Sequence, residues 1–212
     1  MEWSPIAKPR GALRREPCLA DYEEARRSFA WEQAGEMLDG LPGGALNIAH
    51  EAVHRHAQGP AGDRLAIRFL AQGAPPFDLT YRDLSQASNR FSNLLERLGV
   101  QRGERVATLM GRVPALYATV LGTLAAGAVY CPLFSAFGPE PVRARLQLGS
   151  VRVLVTTDLL YRRKVAVIRN ELPGLKHVLV VRTPGAGDPP DGTQDFDDAM
   201  RAAAPDFSVA HT

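Results

Sequence analysis

The chain has 212 residues, of which 45% are apolar and 23% are charged, and its formal net charge is +2. This is the composition of an ordinary globular protein, and the near-neutral charge gives no support for binding nucleic acid or for polybasic attachment to a membrane. Cys18 and Cys131 lie far apart, which predicts reduced thiols rather than a disulfide framework. The opening "MEWSPIAKPRGALRREP" lacks the apolar core of a signal peptide, so we expect a cytoplasmic protein.

Residues 1–45 form a polar leader, which predicts an N-terminal extension. Within it "DYEEARRSFAWEQAGEML" has the apolar spacing of a helix from Tyr22 to Met37. "GLPGG" then breaks the chain, and "ALNIAHEAVHRHAQ" predicts a short amphipathic helix that is capped near Asn47.

"HEAVH", residues 50–54, matches the H-E-x-x-H pattern of zinc proteases. His50 and His54 would share a helix face, and Glu51 could activate a zinc-bound water. A catalytic zinc also needs a third protein ligand, and Ala57 stands where the extended motif has glycine. A zinc hydrolase is therefore kept as a remote alternative to a solvent-facing helix with incidental histidines.

Further along, "RLAIRFLA" and "FDLTY" predict two short strands around the turn "QGAPP". Thr80 and Asp83 resemble a capping box that opens the next helix, and Gly99 is expected to close that helix.

An apolar stretch with no charged residue runs from Val113 to Phe137. A membrane span needs about 20 apolar residues in one conformation. Here Pro114 suits the first turn of a helix, Gly127 suits its end, and "AVYCPLF" is typical of a strand. We therefore predict a helix, a turn and a buried strand, and no membrane span.

Four apolar segments, "RVATLM", "AVYCPLF", "VRVLVTT" and "KHVLVV", follow one another with helical patterns between them. Their even spacing predicts crossover connections in an α/β fold, with a largely parallel sheet and helices on both faces. We assign residues 46–183 to this α/β portion and residues 184–212 to a loop and a short helix, "FDDAMRAAA".

Phosphate-binding fingerprints are missing: no lysine follows a glycine as in a Walker loop, and neither G-x-G-x-x-G nor G-x-S-x-G occurs. Arg162, Arg163 and Lys164 follow the third strand of the series. Open α/β sheets bind ligands beyond the carboxyl ends of their strands, so these cations could hold a phosphate. A solvated helix face is the alternative reading of the same residues.

Two segments carry a resemblance to a known family. "LTYRDLSQASNRFSNLLERLGVQRGERVATLM" and "LGTLAAGAVYCPLFSAFGPEPVRARLQLGSVRVLVTTDLLYRR" resemble the first two core regions of adenylate-forming enzymes. Within that superfamily the sequence is most similar to AMP-forming acetyl-CoA synthetases, over roughly residues 45–182. "LNIAHEAVHRH" also fits this subgroup, in which the helix carries no zinc, with Asn47, Arg55 and His56 at matched positions.

The resemblance implies a parent enzyme that uses ATP, Mg²⁺ and coenzyme A. Arg162 stands where the family has an arginine that binds the nucleotide end of coenzyme A, while Arg163 and Lys164 replace small residues. Ala136 stands where the family has a glycine whose backbone contacts coenzyme A. The family's Pro-Lys phosphate loop, its aromatic-Gly-x-Thr-Glu motif and its catalytic lysine have no counterpart in the 212 residues.

The sequence therefore predicts the N-terminal portion of an acetate–CoA ligase, one incomplete piece of the adenylating domain that is inactive without the rest. Alternatives are a ligase for another short- or medium-chain acid and a naturally truncated, non-catalytic binding module. The expected partners are the small-molecule substrates and the remainder of the ligase. Strands of that remainder are expected to cover an otherwise unpaired sheet edge.

Overall fold

The computed structural model describes residues 17–71, 73, 75–183, 185 and 187–212, in two compact units that divide between Asp39 and Gly40. Most of the leader, residues 1–16, lies outside the described residues, as do Gln72 and Ala74 of the turn "QGAPP". The domain limits at 45/46 and 183/184 stay predictions.

The first unit contains two short helices, α1 (Tyr22–Ser28) and α2 (Trp31–Glu36), where the sequence predicted one continuous helix. That prediction is wrong because Phe29 and Ala30 have extended backbones. At the break the Ser28 hydroxyl donates to the carbonyl oxygen of Glu24, a local bond that competes with helix continuation. No described residue of this unit is buried.

The second unit begins with a 3₁₀ turn (Pro42–Gly44), a π-helical turn (His50–His54) and α3 (Arg55–Gln58). Asn47 caps this helical segment as predicted, because its Oδ1 accepts hydrogen bonds from the backbone N–H of Ala49 and His50, at 2.9 and 3.4 Å.

A hairpin and a long helix follow. Strands β1 (Leu65–Phe69) and β2 (Phe77–Thr80) pair antiparallel. The predicted capping box is present: the Thr80 hydroxyl accepts from the Asp83 N–H at 3.1 Å, and the Asp83 carboxylate accepts from the Thr80 N–H at 2.9 Å. It opens α4 (Tyr81–Arg97), and Gly99 follows with φ of 71°, which glycine adopts without strain.

The main sheet has five parallel strands in the order β4-β3-β5-β6-β7. The four predicted apolar strands form it in parallel, which confirms the predicted fold class. A two-residue strand that the sequence analysis missed, β7, completes the sheet. Within the described residues, β4 has a strand neighbour on one side only, and Pro132 limits further pairing on its free edge. The strand bounds are β3 (Arg105–Leu109), β4 (Val129–Leu133), β5 (Val153–Thr157), β6 (His177–Val181) and β7 (Gln194–Asp195).

Helices cover both faces of this sheet. On one face, α4, α5 and α8 pack against a core that contains Val106, Val153 and Leu179. On the other face, α6 and the irregular segment after β5 pack against Leu109, Leu154 and Val180. The remaining helices are α5 (Pro114–Ala125), α6 (Pro139–Leu148), α7 (Asp158–Leu160), a π-helical turn (Tyr161–Val165), a 3₁₀ segment (Ala166–Glu171) and α8 (Phe196–Arg201).

Helices α4 and α5 approach each other at a contact we call the α4–α5 seam, formed by Ser88, Phe91, Ser92 and Gly122. A Cβ atom added to Gly122 would lie 2.6 Å from the Ser88 carbonyl oxygen and 2.7 Å from the Phe91 Cβ. The Ser92 hydroxyl donates to the Gly122 carbonyl oxygen at 2.9 Å. The seam therefore requires glycine at this position.

The apolar stretch from Val113 to Phe137 forms α5, a turn at Gly127 and β4, as the sequence predicted. Among the helices that the structure describes, none combines the length and apolar character needed to cross a bilayer.

Candidate functional site

Three loops meet at the carboxyl edge of the parallel sheet. Strands β3, β4 and β5 end at Leu109, Leu133 and Thr157, and because these strands are parallel and adjacent, the loops after them lie on the same edge. This is the edge at which open α/β sheets bind ligands.

The chain leaves β3 and β4 in opposite directions. After β3 it continues into α5 on one face of the sheet, and after β4 it continues into α6 on the other face. Such a divergence opens a crevice between two neighbouring strands. A cavity of about 510 Å³ lies there, which we call the β3/β4 crevice. Its lining residues are Met110, Gly111, Arg112, Leu116, Pro132, Leu133, Phe134 and Ser135.

The predicted coenzyme A residues lie beside this crevice. The ammonium group of Lys164, in the π-helical turn after β5, donates a hydrogen bond to the Ser135 carbonyl oxygen at 2.5 Å. Ser135 precedes Ala136, so this bond joins the two chain segments that carry the predicted site. Arg162, Arg163 and Ala136 are exposed.

One carboxylate lies close to this cluster. The Thr183 hydroxyl donates to Asp158 Oδ1 at 2.7 Å, and this bond lowers the pKa of Asp158 below its ordinary value, with a smaller contribution from the positive charge of Arg162. The carboxylate stays ionised near neutral pH and offsets part of the positive charge of Arg162.

The histidines of "HEAVH" are buried, so the expectation of a solvent-facing helix is wrong. His54 is 3% exposed, and its Nδ1 and Nε2 lie 2.8 and 3.4 Å from the Ser85 and Ser88 hydroxyls of α4. Burial, and then the charge of His50, lower the pKa of His54 to about 4. Glu51 accepts a hydrogen bond from the Gly40 N–H and pairs with Arg55.

These contacts give the zinc hypothesis no support, since His54 uses both ring nitrogens within the protein. Within the described ranges, no group of three or more His, Cys, Asp or Glu residues is placed to hold a metal ion.

The sequence analysis missed two residues at the carboxyl edge, Arg112 and Phe134. Arg112 is exposed, and no ion pair or hydrogen bond of its side chain occurs within the described part of the chain. Phe134 is 65% exposed, and its ring makes an edge-to-face contact with Phe137, with 5.6 Å between the centroids. The only sequence signal was their position directly after two apolar strands.

Comparison with known proteins identifies the family. The AMP-binding enzyme family matches residues 53–208. The chain belongs to this family. It is 35% identical over 186 residues to the acetyl-coenzyme A synthetase of Bacillus subtilis, a match that covers 86% of this chain and 31% of that protein. The match to the enzyme of the same name from Streptomyces coelicolor has 35% identity and covers 77% of this chain and 28% of that protein.

Solved structures agree with this assignment. The Brucella canis acyl-CoA synthetase superposes with a TM-score of 0.78 at 31% identity, over 90% of this chain and 34% of that one. The acetoacetyl-CoA synthetase of Streptomyces lividans gives a TM-score of 0.72 at 30% identity, over 81% of this chain and 27% of that one. The chain therefore corresponds to an N-terminal piece of an adenylate-forming enzyme and spans about a third of such relatives.

Proposed function

We propose that the chain is the N-terminal part of a cytoplasmic acetate–CoA ligase. The whole enzyme would convert acetate and ATP into acetyl-AMP and diphosphate, and would then transfer the acetyl group to coenzyme A with release of AMP. The support for acetate is the name of the relatives from Bacillus subtilis and Streptomyces coelicolor, both acetyl-coenzyme A synthetases.

The part of this activity that we assign to the described residues is binding of coenzyme A. The observation that carries the proposal is the hydrogen bond from Lys164 to the Ser135 carbonyl oxygen, because it holds the β4 loop beside the basic turn. The exposed guanidinium groups of Arg162 and Arg163 suit a phosphate, which arginine can bind with two parallel hydrogen bonds.

Two of these residues have narrower roles in the proposal. Lys164 donates to protein, so it positions the loop and adds positive charge without being the main phosphate ligand. Ala136 lies exposed in the loop after β4. Its methyl group leaves coenzyme A less room to reach the backbone than a glycine would.

ATP and Mg²⁺ would be bound by residues of the remaining enzyme. The 212-residue sequence offers no Gly-Lys-Ser/Thr phosphate loop. We therefore expect this chain alone to release no pyrophosphate in the presence of ATP, Mg²⁺ and acetate. Acetate-dependent release above a control without protein would contradict this proposal.

Propionate and hexanoate, assayed in the same way with the whole enzyme, would distinguish acetate from longer acids.

Coenzyme A binding tests the assigned residues directly. We expect Arg162→Ala to weaken binding of coenzyme A to the 212-residue chain by roughly tenfold, since a charge-assisted bond to phosphate is lost. Titration calorimetry measures this effect, and Arg64→Ala, an exposed arginine next to the β1–β2 hairpin, is the matched control. Equal affinities for the Arg162→Ala variant and the unaltered chain would remove Arg162 from the site.

A further inference from the structure

Residues 202–212, which we call the strap, continue from the end of α8 without forming a helix or a strand. In such a segment no ladder of neighbouring backbone groups satisfies the carbonyl oxygens, so these acceptors need partners from elsewhere in the chain. The course of the strap therefore depends on the side chains that donate hydrogen bonds to it.

Helix α4 presents a row of donors to this part of the chain. Asn89, Asn93 and Arg97 are spaced by four residues and lie on one face of the helix. Their side-chain nitrogens donate to main-chain carbonyl oxygens at distances between 2.8 and 3.0 Å. Because every acceptor is a main-chain atom, α4 holds the backbone of this segment independently of its side chains. The acceptors belong to Ala199, Ala202, Ala204, Pro205 and Asp206.

Asn47 holds the far end of the strap. It is 2% exposed, and its Nδ2 donates to the carbonyl oxygens of Leu124 and Ala210, both at 2.9 Å. Its Oδ1 accepts the two capping bonds described above, so the amide group uses both its donors and its acceptor within the protein. One buried side chain therefore joins three segments: the helical turn at His50, the end of α5 and the strap.

Main-chain hydrogen bonds surround these contacts. The Ala210 N–H donates to the Ala125 carbonyl oxygen at 2.8 Å. Leu46 and Thr212 exchange two bonds, in which the Thr212 N–H donates at 2.9 Å and the Leu46 N–H donates at 3.1 Å. The backbone at Thr212 consequently has one defined direction, beside the residue that precedes Asn47.

This attachment lies away from the proposed coenzyme A contacts. Leu124 and Ala125 precede β4, at the amino edge of the parallel sheet, whereas Arg162 follows β5 at the carboxyl edge. The two regions can therefore be perturbed separately.

We propose that Asn47 is a positioning residue for the formation of acetyl-AMP in the whole ligase. The proposal rests on the proposed function, in which ATP is bound by residues of the remaining enzyme. Asn47 acts through the strap and not by contact with a substrate: it fixes the backbone at Thr212, and with it the place of the ligase residues that follow relative to the sheet. A displacement of about 1 Å in a site is enough to slow its reaction strongly.

Asn47→Asp separates the strap from the helix cap. The variant keeps a capping oxygen, but it replaces two donors by an oxygen that faces the carbonyl groups of Leu124 and Ala210. Two acceptors then lose their partner and are repelled by the new carboxylate, so we expect the strap to detach at this end.

Hydrogen exchange in the 212-residue chain, followed by NMR, measures this detachment. We expect the Ala210 and Thr212 amides of Asn47→Asp to exchange about tenfold faster or more, while the capped Ala49 amide stays unchanged. Asn170→Asp is the matched control, at an exposed asparagine of the 3₁₀ segment.

Acetate-dependent exchange of pyrophosphate into ATP measures acetyl-AMP formation in the whole ligase. We expect Asn47→Asp to raise the KM for ATP by about tenfold or more and to leave the KM for coenzyme A unchanged. A variant that merely contained less folded enzyme would lower kcat and change neither KM. Asn93→Ala removes two bonds to the strap outside the core, and it should raise the KM for ATP even if Asn47→Asp does not fold.

The outcomes separate this proposal from the proposed function. Unchanged hydrogen exchange of Ala210 and Thr212 in Asn47→Asp, or an unchanged KM for ATP in both Asn47→Asp and Asn93→Ala, overturns the positioning role while acetyl-AMP formation stands. Absence of acetate-dependent pyrophosphate exchange in the unaltered ligase overturns the proposed function, and the positioning role fails with it.

Discussion

The α4–α5 seam and the carboxyl edge of the sheet contain the same residue types, phenylalanine and glycine, in opposite environments. Phe91 in the seam is fully buried, whereas Phe134 at the edge is 65% exposed. Gly122 in the seam has neighbours at 2.6 and 2.7 Å from a built Cβ, whereas Gly111 at the edge has none within 4 Å. Close packing therefore restricts which side chains fit in the seam, whereas the edge is open to solvent.

This difference predicts that substitutions in the seam lower the free energy of unfolding and that substitutions at the exposed edge leave it nearly unchanged. Each of the following predictions compares a buried residue with an exposed residue of the same type.

The largest effect is expected for phenylalanine truncation. Phe91→Ala should lower the free energy of unfolding by about 3–5 kcal/mol, because it leaves a cavity in a close-packed core. Phe134→Ala should change it by less than about 0.5 kcal/mol, because an exposed surface position contributes little. Denaturant unfolding measures both, and similar losses in the two variants would refute the comparison.

The buried histidine beside the seam should make stability depend on pH. The pKa of His54 is about 4 in the folded chain, whereas the ordinary histidine value of 6.5 applies to the unfolded chain. Below pH 6.5 the unfolded chain therefore takes up this proton first, and stability falls as pH decreases toward 4. The full loss of unfolding free energy is about 3 kcal/mol at pH values below 4. Above pH 7 His54 is neutral in both states and no longer lowers stability.

Unfolding at several pH values between 4 and 7 checks this prediction. His54→Gln should flatten the pH dependence, and the exposed His211→Asn should leave it unchanged. A slope that is the same in all three proteins would show that His54 does not titrate as its burial implies.

The glycine pair gives the smallest expected effect. Gly122→Ala should cost about 1–3 kcal/mol, because the added methyl group overpacks the seam against Ser88 and Phe91. Gly111→Ala should stay within about 0.5 kcal/mol. Thermal unfolding of the two variants decides between them, and a stabilised Gly122→Ala protein would mean that the helices separate without cost.

Local signals in the sequence were sufficient for much of the fold. The capping box at Thr80, the helix start at Pro114 and the turn at Gly127 depend on neighbouring residues, and all three are present. The apolar runs predicted buried parallel strands because strands covered on both faces lack polar positions. That the basic residues follow β5 was also predicted from the sequence, whereas their binding role stays a prediction.

Other features depend on contacts between distant residues and could not be predicted. His54 is buried by Ser85 and Ser88, which are 31 and 34 residues away in the sequence. The strand order, with β3 between β4 and β5, is equally non-local, so the crevice could not be located from the sequence.

The opposed exits of the chain from β3 and β4 have a consequence for how the protein could change over evolution. The β3/β4 crevice is a product of the backbone path, so exchanging the side chains around it would change the chemistry of its lining while the fold stayed intact. The lining of the crevice and the stability of the fold can then vary almost independently, because most of the lining residues lie in loops.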